Sequence, residues 1–126
     1  MTTVLPAPKE AVFSWLSDIE NLPEWATEFA RELKHEDGRY KVVNGLGEFV
    51  FAIDADADTG VIDMYAGPDE DHMGLFPARV VELPSGDTAF TLTMLQAPEQ
   101  PDELFESQYE SLKREFANID RRFARA

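Results

Sequence analysis

The stretch DELFESQYESLKREFANIDRRF, residues 102–123, decides the architecture. Phe105, Tyr109, Leu112, Phe116, Ile119 and Phe123 step by four, three, four, three and four positions. That spacing places all six on one side of a helix. Glu103, Glu106 and Glu110 crowd its first half, and Lys113, Arg114, Arg121, Arg122 and Arg125 crowd its second. The charge order complements the helix dipole, and Gln100-Pro101-Asp102 supplies a start. A long helix with one aromatic stripe needs a broad apolar surface to lie on.

The sequence ahead of it switches to period two, the mark of strands with one buried face. Tyr40 and Val42 flank Lys41. Phe49, Phe51 and Ile53 alternate with Glu48, Val50, Ala52 and Asp54. Ile62 and Met64 alternate with Val61, Asp63 and Tyr65. Met73, Leu75, Val81 and Leu83 share a parity, with a kink expected at Pro77. Phe90, Leu92 and Met94 alternate with Thr91 and Thr93. Asn44-Gly45, Asp58-Thr59-Gly60, Gly67-Pro68 and Ser85-Gly86-Asp87 separate these runs with turn chemistry. Five strands without intervening helices make an antiparallel meander.

Closer to the N-terminus, residues 2–5 read as a first strand. Val12, Leu16 and Ile19, with Phe13 beside them, predict a helix over residues 8–17 that Pro8 opens. Pro23 opens a second helix, predicted to reach residue 33. Leu22, Trp25 or Ala26, Phe29 and Leu33 share its face, and residues 35–38 turn the chain. The expectation is one α+β domain over residues 1–126, with about six antiparallel strands curved around the C-terminal helix.

Composition narrows function. A 44% apolar content with 11% aromatic residues excludes a disordered chain. The absence of cysteine excludes disulfides and cysteine-rich zinc sites. No secretory leader and no membrane-length apolar run is visible, which predicts a cytoplasmic protein. A net charge of −14 repels phosphate backbones and anionic membranes, so neither nucleic acid nor membrane insertion is expected. Residues 42–78 hold no Lys or Arg but carry Glu48, Asp54, Asp56, Asp58, Asp63, Asp69, Glu70 and Asp71. This is either a solvated acidic face or a docking surface for a basic partner or a cation.

Several stretches carry a family resemblance. Ala7-Pro8-Lys9-Glu10-Ala11-Val12-Phe13 resembles the opening strand-to-helix turn of the START and Bet v 1-like (SRPBCC) superfamily. Asn21-Leu22-Pro23-Glu24-Trp25 resembles its second-helix segment. Thr59-Gly60-Val61-Ile62-Asp63 resembles a hairpin entering a central strand, and Pro77-Ala78-Arg79-Val80-Val81 and Ala89-Phe90-Thr91-Leu92-Thr93 resemble the last two strands. The resemblance covers nearly the whole chain and leans to the bacterial polyketide cyclase/dehydrase and lipid-transport branch. It implies a helix-grip fold enclosing a cavity for apolar molecules between the sheet and the last helix. It supports binding better than any one reaction, since no single catalytic motif runs through the family.

Candidate polar groups are few. Arg79 shares the parity of Leu75 and Val81, so its guanidinium either anchors a ligand carboxylate or phenolate or pairs with an acid such as Asp63. A turn to solvent at the Pro77 kink is the other outcome. His72 is a candidate base or an exposed strand-entry histidine; His35 lies in a charged turn. Tyr65 and Asp63 either work together as an acid and an acceptor or lie on the outer face of the sheet, and Tyr109, on the aromatic stripe, either reaches a pocket ligand with its hydroxyl or is a core tyrosine with a protein partner. Asp54, Asp56 and Asp58 mimic the start of a calcium loop, but Gly60 and Tyr65 fall where that loop needs other residues. No metal or cofactor is predicted. Phe51, Ile53, Met64, Leu75, Phe90, Leu92, Met94, Phe105 and Tyr109 form either a filled core or a cavity wall, with Met64, Met73 and Met94 adaptable to varied guests.

Three functions are compatible with this. The first is a module binding a small apolar or aromatic ligand, with Phe105 and Tyr109 touching it and Leu112, Phe116 and Ile119 packed as core. The second is a cyclase or dehydratase, which requires at least two of Arg79, Tyr109 and His72 to converge on one void. The third is an acidic interaction module. Monomer and dimer are both open.

Overall fold

The structure, a computed structural model, describes residues 1–124; Arg125 lies outside the described residues. Strand β1 (Thr2–Leu5) leads into helix α1 (Lys9–Ser17), a 3-10 turn (Ile19–Asn21) and the single-turn helix α2 (Leu22–Trp25). Seven strands follow: β2 (Glu32–Glu36), β3 (Arg39–Asn44), β4 (Gly47–Asp56), β5 (Val61–Gly67), β6 (Gly74–Phe76), β7 (Ala78–Glu82) and β8 (Thr88–Leu92). Helix α3 (Asp102–Arg122) ends the fold. The strands form one antiparallel sheet in the order β1-β8-β7-β5-β4-β3-β2, with β6 also paired to β5. This is the helix-grip fold expected from the sequence.

Eight strands stand where about six were expected. One addition is β2. The second helix stops at Trp25 instead of reaching residue 33, and Leu33 is a strand residue opposite Val42. The sequence holds the reason: Asp37 and Gly38 both have positive φ, 52° and 76°, making the tight turn that right-twisted hairpins favour. The other addition comes from Pro77, which divides the expected kinked strand into β6 and β7.

The parity on both sides of Pro77 is the opposite of the one expected. Ala78 and Val80 are buried while Arg79 is exposed and Val81 only half-buried. The register pairs Val80 with Phe90, both fully buried, and Arg79 with Thr91. A one-residue shift exchanges the two faces of a strand, so the expected inward set of Leu75, Arg79 and Val81 is the outer set.

The packed core lies where β1, β7 and β8 meet the second half of α3. Leu5, Val12, Leu16, Ile62, Val80, Phe90 and Ile119 are wholly or almost wholly buried. Phe90 stacks on Phe116 with ring centres 5.4 Å apart and meets Trp25 edge-on at 6.4 Å. The chain start closes this end: the Met1 ammonium donates to Leu92 O at 2.9 Å, and Leu92 N–H donates to Met1 O at 2.9 Å. Thr3 on β1 hydrogen-bonds Asp120 on α3. As expected, Leu112, Phe116 and Ile119 are core residues, at 8%, 4% and 0% exposure.

Candidate functional site

The first half of α3 does not lie flat on the sheet. Between them is a partly open cavity of about 440 Å³. That volume is within the range of small-molecule sites, ~300–1,000 Å³. Its sheet wall is apolar: Phe51 from β4, Met64 from β5, Phe76 from β6, Leu92 from β8 and Met94 just beyond it. Leu22, Trp25, Ala26 and Phe29 close a second side. Leu46, Leu104 and Arg31, all exposed, mark the mouth.

The helix wall is different. α3 presents Leu104, Ser107, Gln108, Ser111, Leu112 and Glu115 to the cavity. Apart from Leu112, none belongs to the aromatic stripe. The lining face is turned by about one residue position, roughly 100°, from that stripe. Phe105 and Tyr109 do not line the space. Phe105 is half-buried, and Tyr109 is 37% exposed with the Lys113 ammonium 5.3 Å above its ring. The expectation that these two touch a cavity ligand is therefore corrected. The stripe meets the core through its second half only, and the first half rotates its polar flank toward the void.

Four polar residues on that flank tie α3 to residues 25–29. Ser111, Arg114, Glu115 and Asn118 recur at i, i+3, i+4 and i+7, so they share a face. The Arg114 guanidinium grips Glu28 as a fork, Nε to Oε2 at 2.8 Å and an Nη to Oε1 at 2.7 Å. Ser111 Oγ donates to Glu28 Oε1 at 3.1 Å. Asn118 Nδ2 donates to Trp25 O at 2.9 Å. Glu115 Oε2 accepts the backbone N–H groups of Glu28 and Phe29 at 3.1 and 3.0 Å. The Arg114 hydrogen bond holds the Glu28 carboxyl below the ordinary glutamate value. Glu115 is only 4% exposed, and burial pushes its carboxyl above that value, against the pull of its two backbone donors. Sequence reasoning missed this latch because it followed apolar periodicity alone. One signal was present: Glu115 is an acid in the half of the helix where the dipole favours bases.

The remaining expected site residues separate cleanly. Phe51, Met64, Leu92 and Met94 line the cavity. Phe90 belongs to the packed core. Ile53 is half-buried beside the cluster, and Leu75 is 38% exposed; neither lines the cavity. Arg79 turns to solvent, its Nε donating to Thr59 O at 3.4 Å. His72 is exposed, its Nδ1 2.7 Å from Asp69 Oδ1. Arg79, Tyr109 and His72 thus do not converge, and the cyclase or dehydratase mechanism built on them fails. Asp54, Asp56 and Asp58 fall on the β4–β5 hairpin, where Asp56 Oδ1 accepts Asp58 N–H at 3.0 Å. Among the described residues no group of acids and histidines is arranged to hold a metal ion, and no helix is long and apolar enough to cross a membrane.

No family model matches the chain, and no curated protein matches it in sequence. Solved structures do resemble it. Protein MLL2253 from Mesorhizobium loti superposes with a TM-score of 0.62 at 13% identity, over 96% of this chain and 95% of that one. Protein CV1439 from Chromobacterium violaceum gives 0.63 at 13% identity, over 100% and 96%. Ara h 8.0201 gives 0.58 at 17% identity, over 95% and 92%. At these identities the likeness shows the fold, which is Bet v 1-like.

Proposed function

We propose that this protein is a START/Bet v 1-like binding module that holds a small apolar or aromatic molecule between its sheet and α3. The observation that carries the proposal is an unfilled space bordered by the packed core. A packed cluster around Phe90 and Phe116 stabilises the fold, and a space of about 440 Å³ walled by Phe51, Met64, Phe76, Leu92 and Met94 borders it. Apolar walls gain by excluding water, roughly 25 cal/mol for each Å² covered. The two lining thioethers adapt to guests of different outline. Assignment to the polyketide cyclase/dehydrase and lipid-transport branch is part of the proposal and rests on the sequence stretches quoted above.

The test is native mass spectrometry with thermal melts against fatty acids, sterols and aromatic polyketides. The expected result is a one-to-one complex with a raised Tm; ligand at a hundredfold excess over Kd adds ~2.7 kcal/mol. Met94→Trp, which drives an indole into the cavity, should abolish uptake while the apo protein stays folded. The proposal is overturned if none of these classes forms a complex, or if Met94→Trp binds as the wild type does.

A further inference from the structure

Glu115 holds a position that neither core packing nor the latch fully explains. A residue 4% exposed in the middle of α3 places an acid on the wall of a cavity whose sheet side is apolar. One oxygen is committed: Oε2 takes both backbone N–H groups, at 3.1 and 3.0 Å. Oε1 accepts no hydrogen bond from any described residue, yet no buried side-chain oxygen is left wholly enclosed without a partner. Oε1 is therefore reachable by solvent or ligand, and Glu115 is a lining residue of the cavity. Opposite it stand Phe51, Met64, Leu92 and Met94, which have no hydrogen to donate.

We propose that Oε1 of Glu115 is the cavity's hydrogen-bonding point, so that the ligand is an otherwise apolar molecule carrying a carbonyl or hydroxyl oxygen on the edge that faces α3. This rests on the ligand-binding function proposed above and specifies its chemistry. Burial favours the neutral carboxyl, which donates through Oε1–H while Oε2 keeps its two amide contacts. A neutral acid donates to a ketone oxygen; a carboxylate cannot. The other charged groups nearby do not compete. Glu28 is held ionised by the Arg114 fork, Arg31 stands at the exposed mouth, and the lining residues from the sheet include no titratable side chain.

The test compares two probes of matched outline, 2-acetylnaphthalene and 2-isopropylnaphthalene, by fluorescence titration between pH 4.5 and 8. The wild type should bind the ketone roughly three- to tenfold more tightly at the acid end, the range of one net hydrogen bond. That preference should vanish as pH rises through the Glu115 pKa. Glu115→Gln keeps the shape and a donor, so it should prefer the ketone at every pH. Glu115→Leu should bind both probes alike. Equal binding of the two probes by the wild type at the acid end overturns the Glu115 assignment and leaves the binding function standing. A pH-dependent preference that survives in Glu115→Gln does the same. Failure of both probes to bind at any pH overturns the Glu115 assignment, and failure of the fatty acids, sterols and polyketides as well overturns the binding function.

Discussion

Truncating one aromatic ring in the core and one thioether on the cavity wall should have very different costs. Phe116 is 4% exposed and stacks on Phe90, which is itself held by Trp25. Phe116→Ala leaves a void that these pinned neighbours cannot collapse into, for about 3–5 kcal/mol. That is a large part of the ~5–15 kcal/mol that holds a domain together. At about 4 °C per kcal/mol for a chain of this size, Tm should fall by ~12–20 °C. Met94 is half-buried and already borders empty space. Met94→Ala opens no new void and forfeits only part of a transfer term, about 1 kcal/mol or less. Urea and thermal melts on both variants, with the m-value checked for two-state behaviour, give the comparison directly. Equal losses would refute the reasoning: Met94 would then be packed in solution, and the cavity would be filled by its own walls.

Gly60→Ala should destabilise by about 2–5 kcal/mol in the same melts, because φ is +78° there and an added Cβ would lie 2.1 Å from Val80 O. Arg79→Ala, His72→Ala and Tyr109→Phe should leave both ligand uptake and stability within ~0.5 kcal/mol of wild type, since all three side chains lie outside the cavity and the core. Glu115 has a folded pKa raised above its unfolded value, so its contribution to stability is fully present below the ordinary glutamate pKa, about 4.3, and is lost as pH rises through the folded value. Glu115→Gln should therefore match wild type in acid and gain on it toward neutral pH, as read from urea midpoints across a pH series. Glu28 has the opposite sign: its lowered pKa means that the Arg114 fork contributes above the ordinary glutamate value and fades as pH falls through the folded one.

The parts of the fold legible in the sequence are those where only one pattern fits. Residues 102–123 allow a single helical face, and Phe90 and Leu92 allow a single strand parity between threonines. The stretch around Pro77 was not legible, because Leu75-Phe76 and Val80-Val81 are apolar doublets that satisfy either parity. Pairing with β8 decides between them, and it is Val80, opposite Phe90, that faces the core. Strand β2 was lost for a different reason. Glu32 to Glu36 is an edge strand with three exposed residues, so it has no apolar alternation to detect. Asp37-Gly38 was the usable sign, read as a helix stop when it is a hairpin turn. At the site, the apolar sheet wall was partly legible, through Phe51, Met64, Leu92 and Met94. The polar helix wall was not, since hydrophobic periodicity says nothing about which flank of a stripe faces a void.

That polar wall explains why the void persists. Hydrophobic contact alone would draw the first half of α3 down onto Phe51, Met64 and Met94, and Phe105 and Tyr109 have the rings to fill the gap. What stands in the way is the segment after α2. Its backbone N–H groups at Glu28 and Phe29 are half-buried and donate to α3. Glu115 supplies the acceptor, Arg114 and Ser111 fix Glu28 beside it, and Asn118 holds Trp25 O. These four contacts set the rotation of α3, and that rotation carries Phe105 and Tyr109 off the cavity. Closing the space by rotating α3 would break the hydrogen bonds of the buried Glu115 carboxyl, at about 1–3 kcal/mol for that group. The same group that keeps the cavity open thus has an oxygen free to meet what enters it.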